Sequence, residues 1–118
     1  MKNVLYVEDN ADTANAVKII LSDIGCIVET APNGQEGVKL AKSKDYDLIL
    51  LDIMLPDMTG WDIYAQIKSG LKSKIAFLSA IPVSSDRMEQ LRLAGVSDYI
   101  TKPFAKADLI QRITKILD

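Results

Sequence analysis

The chain has 118 residues and a formal net charge of −2, which allows one domain with a substantial core and predicts neither a nucleic-acid partner nor a membrane surface. It contains a single cysteine, Cys26, and no histidine, so an internal disulfide, histidine-based catalysis and histidine metal ligation are excluded within the chain. No apolar run approaches the roughly 20 residues of a membrane span, and no signal peptide opens the chain. We therefore expect one cytoplasmic domain over residues 1–118, without membrane insertion or direct nucleic-acid binding.

Short apolar runs alternate with helical patterns along the whole chain. The apolar runs predict strands at about 3–7, 27–30, 47–51, 74–78 and 98–101. The segments between and after them predict helices at about 13–24, 35–43, 61–68, 86–94 and 106–117. Each connection is long enough for a crossover between parallel strands, so the expected fold class is α/β, a three-layer αβα sandwich.

Two of the helices carry more specific expectations. Asp12 or Thr13 is the expected N-cap of the first helix. Leu93, in the fourth helix, lies off the expected apolar stripe, and its exposure would indicate a partner surface there. The buried stripe of that fourth helix is expected to consist of Met88, Leu91 and Ala94.

Reactive side chains follow four of the five predicted strands. In such α/β folds the binding crevice lies beyond the carboxyl ends of the strands, so residues just after each strand share one edge of the sheet. The second strand ends in Ala31-Pro32, with no reactive group, which fits an edge strand. The other four strands end in or are followed by Glu8-Asp9, Asp52, Ser79 and Lys102.

This set of side chains indicates a site that binds a metal ion together with an anion. Two carboxylates ~4 Å apart repel by about 4 kcal/mol at an effective dielectric near 20, and a divalent cation removes that cost. Oxygen ligands indicate Mg²⁺ or Ca²⁺, and a site with few protein oxygens fits Mg²⁺ better. Lys102 would bind an arriving anion such as a phosphoryl group, for which a carboxylate can act as the nucleophile.

The motifs resemble those of the receiver domain of two-component response regulators, such as the single-domain chemotaxis response regulator. The resemblance covers essentially the whole chain. It implies a flavodoxin-like (βα)5 fold with five parallel strands in the order 2-1-3-4-5. The segments that carry it, in order, are Val7–Asn10, Leu51–Gly60, Leu78–Ala80, Gly95–Tyr99 and Lys102–Phe104.

The resemblance implies a role for each acidic residue. Asp52 corresponds to the phosphoacceptor, which is also a metal ligand. Asp9 corresponds to a direct Mg²⁺ ligand, and Glu8 to the second acidic residue, which often reaches the metal through water. Met54 would supply its backbone carbonyl to the metal. Mg²⁺ is the implied ion, with Mn²⁺ as a substitute.

The resemblance also implies a switch. Ser79 corresponds to the hydroxyl that binds the phosphoryl group, and Lys102 to the lysine that binds the same group. Tyr99 corresponds to an aromatic side chain that moves from an exposed to a buried position after phosphorylation. The Lys102-Pro103 peptide bond is expected to be cis, which would direct the lysine into the site.

Two departures from the family's commoner residues are visible. Glu8 replaces an aspartate and Ser79 replaces a threonine, and both substitutions keep the chemical group. Met54 and Ile81 occupy positions that influence how fast the phosphoryl group is lost in this family. Because both are apolar, neither can orient a hydrolytic water, and we expect a long-lived phosphoaspartate.

The predicted function is a phosphorylation-dependent signalling switch, without enzymatic activity on other molecules. The implied donor is a sensor histidine kinase or a histidine phosphotransfer protein, and the implied output is a protein target bound by helix four, strand five and helix five. Two alternatives stay open. One is a haloacid-dehalogenase-type phosphatase, which needs an aspartate at position 54, where this chain has Met54. The other is an interaction module that is never phosphorylated.

Overall fold

The computed structural model describes all residues from 1 to 118, as five strands and five helices that alternate along the chain. None of the helices combines the length and the apolar character that a membrane crossing requires. The strands are β1 (Lys2–Val7), β2 (Cys26–Ala31), β3 (Leu48–Leu51), β4 (Lys74–Ser79) and β5 (Asp98–Thr101). The helices are α1 (Ala11–Ser22), α2 (Gly34–Ser43), α3 (Gly60–Ile67), α4 (Ser85–Leu93) and α5 (Lys106–Leu117).

The strands form one parallel sheet in the order β2-β1-β3-β4-β5, which confirms the expected topology. The register aligns the carboxyl ends of the strands. Val7 of β1 lies opposite Leu51 of β3, so the residues that follow these strands, Glu8 and Asp52, become neighbours. The sequence places a reactive group at each of these ends, and the register brings them to one edge of the sheet.

The central strands are buried on both faces, as their unbroken apolar runs predict. Val4–Val7 and Leu48–Leu51 have no exposed surface. On one face, side chains such as Leu5 and Phe77 form a cluster with α2, α3 and α4. On the other face, side chains such as Val4 and Leu78 pack with α1 and α5. Burial of each large apolar side chain contributes about 2 kcal/mol to the stability of the fold. The two cores therefore hold the strand ends in fixed positions.

The predicted N-cap of α1 is wrong. Asn10, not Asp12 or Thr13, caps the helix, because its Oδ1 accepts a 2.9 Å hydrogen bond from the Thr13 backbone N–H. The Asn10 carbonyl also accepts the first helical bond, from the N–H of Ala14. Asn10 has the extended backbone conformation of an N-cap residue, and its carbonyl is placed to accept the first hydrogen bond of the helix.

The predicted buried stripe of α4 is only partly correct. Leu91 is buried, but Met88 is 36% exposed and Ala94 is exposed. Leu93 is exposed, as expected. Leu91 is the one buried residue of this helix, which also contacts α3. Two polar contacts join these helices: the Arg87 guanidinium lies 4.9 Å from the centre of the Trp61 ring, and the Tyr64 hydroxyl donates to the Ala94 carbonyl.

Candidate functional site

Three carboxylates meet at the carboxyl edge of the sheet. One oxygen from each of Glu8, Asp9 and Asp52 lies within 4.8 Å of the others. The Asp52 backbone N–H donates a 3.1 Å hydrogen bond to the Val7 carbonyl, which continues the β1–β3 pairing past the strand ends. Glu8 and Asp52 are buried, whereas Asp9 is exposed. The site is therefore a carboxylate cluster with one side open to solvent.

Lys102 supplies the positive charge at this cluster. Its ammonium donates to Glu8 Oε1 and, over 3.2 Å, to Asp52 Oδ2. The peptide bond between Lys102 and Pro103 is cis, and the Lys102 N–H donates to the Ser79 carbonyl. With all groups ionised, three carboxylates and one ammonium leave an excess of two negative charges. A divalent cation matches that excess.

Glu8 is buried inside the site. Burial raises the pKa of Glu8, and the neighbouring Asp52 carboxylate raises it further, against the opposing effect of Lys102. Its Oε1 also accepts a 3.0 Å hydrogen bond from the hydroxyl of buried Tyr6. The sequence analysis missed Tyr6. The available signal was a tyrosine inside an apolar strand, two residues before Glu8 and thus on the same face.

Asp52 is also buried but remains ionised. Burial acts to raise the pKa of Asp52, yet its interactions with Glu8, Lys102 and Ser79 outweigh burial and lower the pKa below its usual value. The Met54 backbone N–H lies 3.4 Å from Asp52 Oδ1. The Met54 side chain is 68% exposed. An ionised carboxylate beside an ammonium can serve as a nucleophile.

Ser79 and Tyr99 meet at the backbone of Ile81. Ser79, the last residue of β4, accepts a 3.3 Å hydrogen bond from the Ile81 N–H. The Tyr99 hydroxyl donates to the Ile81 carbonyl, and Tyr99 is buried. Its ring stacks on Trp61 at a centroid distance of 6.3 Å. Tyr99 thus already occupies the inward position that the sequence analysis expected after phosphorylation.

A glycine allows the loop between β3 and α3 to close over Asp52. A Cβ atom on Gly60 would lie 2.3 Å from the Asp52 carbonyl oxygen, closer than any side chain can approach. The Gly60 N–H donates a 2.8 Å hydrogen bond to the Ile53 carbonyl. Thr59 and Asp62 form a capping box at the start of α3. These contacts fix the loop at the point where Asp52 leaves the sheet.

The donor set fits Mg²⁺. Its ligands are oxygens only, which hard cations prefer, and Glu8, Asp9 and Asp52 can reach one point. Every buried polar side-chain atom of the chain has a hydrogen-bond partner, so the polar cluster is fully connected. An ion bound at this edge would be held by carboxylates and could accept further oxygens from solvent or from a phosphoryl group.

Comparisons with known proteins agree with this geometry. The family model described as the response regulator receiver domain matches residues 4–114. The transcriptional regulatory protein CusR of Escherichia coli K12 is 43% identical over 115 residues, which cover 97% of this chain and 50% of CusR. The cell cycle response regulator CtrA of Brucella ovis is 39% identical, with 97% and 49% covered. The chain spans about half the length of the curated relatives it matches.

Two solved structures are also similar to this chain. The response regulator TrrA of Thermotoga maritima, in complex with Mg²⁺ and BeF, superposes with a TM-score of 0.84 at 31% identity, over 99% of this chain and 100% of TrrA. A CheY-like receiver domain protein from Methanospirillum hungatei gives a TM-score of 0.87 at 30% identity, over 100% and 94% of the two chains. The chain belongs to the response regulator receiver domain family, whose members act in two-component signalling.

Proposed function

We propose that Asp52 is the phosphoacceptor of a phosphorylation-dependent switch. The observation that carries the proposal is the position of Asp52, a buried carboxylate between the Lys102 ammonium and the carboxylates of Glu8 and Asp9. A carboxylate oxygen of Asp52 attacks phosphorus. The bond from phosphorus to the donor's imidazole nitrogen breaks, and the imidazole leaves with its electron pair.

The proposed metal ligands are Glu8, Asp9, Asp52 and the Met54 carbonyl, with Mg²⁺ as the ion and Mn²⁺ as a substitute. When bound, the cation neutralises charge on the oxygens of the transferring phosphoryl group. The Lys102 ammonium would neutralise the same charge. Ser79 Oγ, at the end of β4, donates a hydrogen bond to a phosphoryl oxygen. The chain's own contribution is to align the nucleophile and to exclude bulk water from it.

The proposed output is a change in the surface formed by α4, β5 and α5. Ser79 and Tyr99 are linked through the Ile81 backbone, so a pull on Ser79 alters the hydrogen bond that holds Tyr99. Phosphorylation then increases the population in which Tyr99 is buried. The exposed side chain of Leu93 belongs to the surface that a downstream protein would bind.

The proposed donor is a sensor histidine kinase or a histidine phosphotransfer protein, in the cytoplasm, where Cys26 stays reduced. Receiver domains of this family interact with histidine kinases and with downstream effectors. We further propose that residues 1–118 act as one receiver domain, without nucleic-acid contacts of their own. Its reactions are limited to its own phosphorylation and a slow loss of the phosphoryl group.

Intact mass after incubation with Mg²⁺ and acetyl phosphate tests the proposal. We expect the wild-type chain and the exposed-site control Asp45→Asn to gain one phosphoryl group, and Asp52→Asn to gain none. No gain by the wild type would favour the interaction module. Steady phosphate release from unrelated phosphoesters would favour the phosphatase, although Met54 cannot act as that enzyme's general acid.

A further inference from the structure

An exposed carboxylate in the β3–α3 loop is bound to a different element. Both oxygens of Asp57 accept backbone hydrogen bonds from the start of α2, from Gly34 over 2.8 Å and from Gln35 over 2.9 Å. These residues lie 23 and 22 positions earlier in the chain. The first N–H groups of a helix have no partner within the helix, so a distant carboxylate can satisfy them.

Asp57 completes a cap that α2 cannot provide by itself. The N-cap residue Asn33 accepts from the Glu36 N–H through its side chain and from the Gly37 N–H through its carbonyl. The N–H groups of Gly34 and Gln35 remain, and Asp57 accepts from both. The negative charge of Asp57 also lies at the positive end of the helix dipole.

Gly34 shows how closely the loop and α2 pack. A Cβ atom at Gly34 would lie 2.2 Å from Met58 Cγ and 3.2 Å from Asp57 Oδ1. The Met58 side chain packs against the apolar cluster on this face of the sheet. Hydrogen bonds and packing therefore fix residues 57 and 58 against one end of α2.

The same loop carries the proposed phosphoacceptor and a proposed metal ligand. It begins at Asp52, passes through Met54 and returns at Thr59, which pairs with Met54 in an isolated antiparallel bridge. Gly60 holds its far end to the Ile53 carbonyl. Between these fixed ends, the Asp57 carboxylate is the loop's hydrogen-bonded link to α2. Loss of that link would free the segment that orients the Met54 carbonyl.

We propose that Asp57 is a positioning residue for Mg²⁺ binding: it clamps the β3–α3 loop to α2 and so fixes the Met54 carbonyl beside Asp52. The inference rests on the proposed metal site. It concerns the affinity for the metal and predicts no contact between Asp57 and the ion. Residues that orient metal ligands from outside the coordination sphere typically change metal affinity by about 10- to 100-fold.

Calorimetric titration with Mg²⁺ alone, in the absence of a phosphodonor, tests this proposal. We expect the Kd to rise about tenfold in Asp57→Ala. Asp57→Asn, whose amide oxygen can still accept one hydrogen bond, should recover part of the loss. Asp45→Ala removes the same charge at the opposite end of β3 and should leave the Kd unchanged.

Amide hydrogen exchange of the metal-free chain provides a second readout. Gly34 and Gln35 should exchange faster in Asp57→Ala than in the wild type, with Asp57→Asn between them. Faster exchange together with an unchanged Mg²⁺ Kd would overturn the positioning role and leave Asp57 as a helix cap only. A wild-type chain that binds no Mg²⁺ would overturn the metal site itself, and this inference with it.

Discussion

The ammonium of Lys102 lies 3.2 Å from Asp52 Oδ2, although 50 positions separate the two residues in the chain. Lys102 also contacts Glu8, and its own side chain is only 19% exposed. The Lys102 ammonium is therefore the counter-charge of two buried carboxylates. This arrangement helps to lower the pKa of Asp52 against the effect of burial, and it predicts that the site depends on Lys102 before any phosphoryl group arrives.

Replacement of Lys102 should destabilise the metal-free protein. Lys102→Ala leaves two buried carboxylates without their counter-charge, and we expect a loss of about 3 kcal/mol in the free energy of unfolding at neutral pH. Mg²⁺ should restore part of that loss, because it supplies positive charge to the same groups. Urea unfolding with and without Mg²⁺ measures both effects. An effect no larger than that of Lys72→Ala, at an exposed lysine, would contradict the prediction.

A methyl group at Gly60 should disturb the site directly. The Gly60→Ala side chain would meet the Asp52 carbonyl, so we expect weaker Mg²⁺ binding and slower phosphorylation, with about 1–3 kcal/mol of destabilisation. Gly70→Ala is the matched control. Gly70 has a φ of +73° and open space around it, so alanine there costs about 1 kcal/mol without touching the site. Equal phosphorylation rates in the two variants would refute the steric argument.

The edge strand β2 should make a small, pH-dependent contribution to stability. A hydrogen bond from the Tyr46 hydroxyl, followed by the Lys44 ammonium, lowers the pKa of Glu29 below its usual 4.5. A carboxylate whose pKa is lower in the folded than in the unfolded state stabilises the protein at pH values above its unfolded-state pKa. This stabilisation is lost as the pH falls through the folded-state pKa. The Glu29 side chain is 38% exposed, so solvent screening limits this contribution to about 0.5 kcal/mol.

Comparison of the wild type with Glu29→Gln across pH measures that contribution. The difference in unfolding free energy should be largest near pH 7 and should shrink toward pH 3. A difference that grows as the pH falls would mean that the sign of the effect is wrong.

The phosphoryl group should persist for minutes or longer after removal of the donor. The side chains of Met54 and Ile81 are apolar and cannot orient an attacking water. The Met54 side chain is also exposed, so a polar residue there would be free to bind water near Asp52. We expect Met54→Asn to lose the group faster than the wild type. Decay of the wild-type phosphoprotein within seconds would contradict this account.

The sequence was sufficient to predict the fold and the residues at the strand ends. Unbroken apolar runs such as Leu48–Leu51 identify buried parallel strands, and parallel strands place their carboxyl ends at one edge. The position of Asp52 directly after such a run was therefore informative without coordinates. In the folded chain Val7 pairs with Leu51, and this register brings the carboxylates that follow the two strands close together.

The sequence did not reveal contacts that depend on how loops and helices approach one another. Asp57 appears in the sequence as an ordinary turn residue, and only the packing of Met58 on Gly34 brings it to α2. The error at α4 has a related cause. A helical pattern shows which residues share a face, but it does not show that Arg87 lies over Trp61 of α3 or that Met88 stays exposed.

The identity of the phosphorylated residue decides whether Asp52 is the phosphoacceptor. After incubation with Mg²⁺ and acetyl phosphate, borohydride reduces an acyl phosphate on aspartate to homoserine, and peptide mass analysis then locates that residue. We predict homoserine at position 52 and nowhere else, with none formed in Asp52→Asn. Reduction at Asp9 or at another carboxylate, or none at all, would contradict the assignment of Asp52 as the phosphoacceptor.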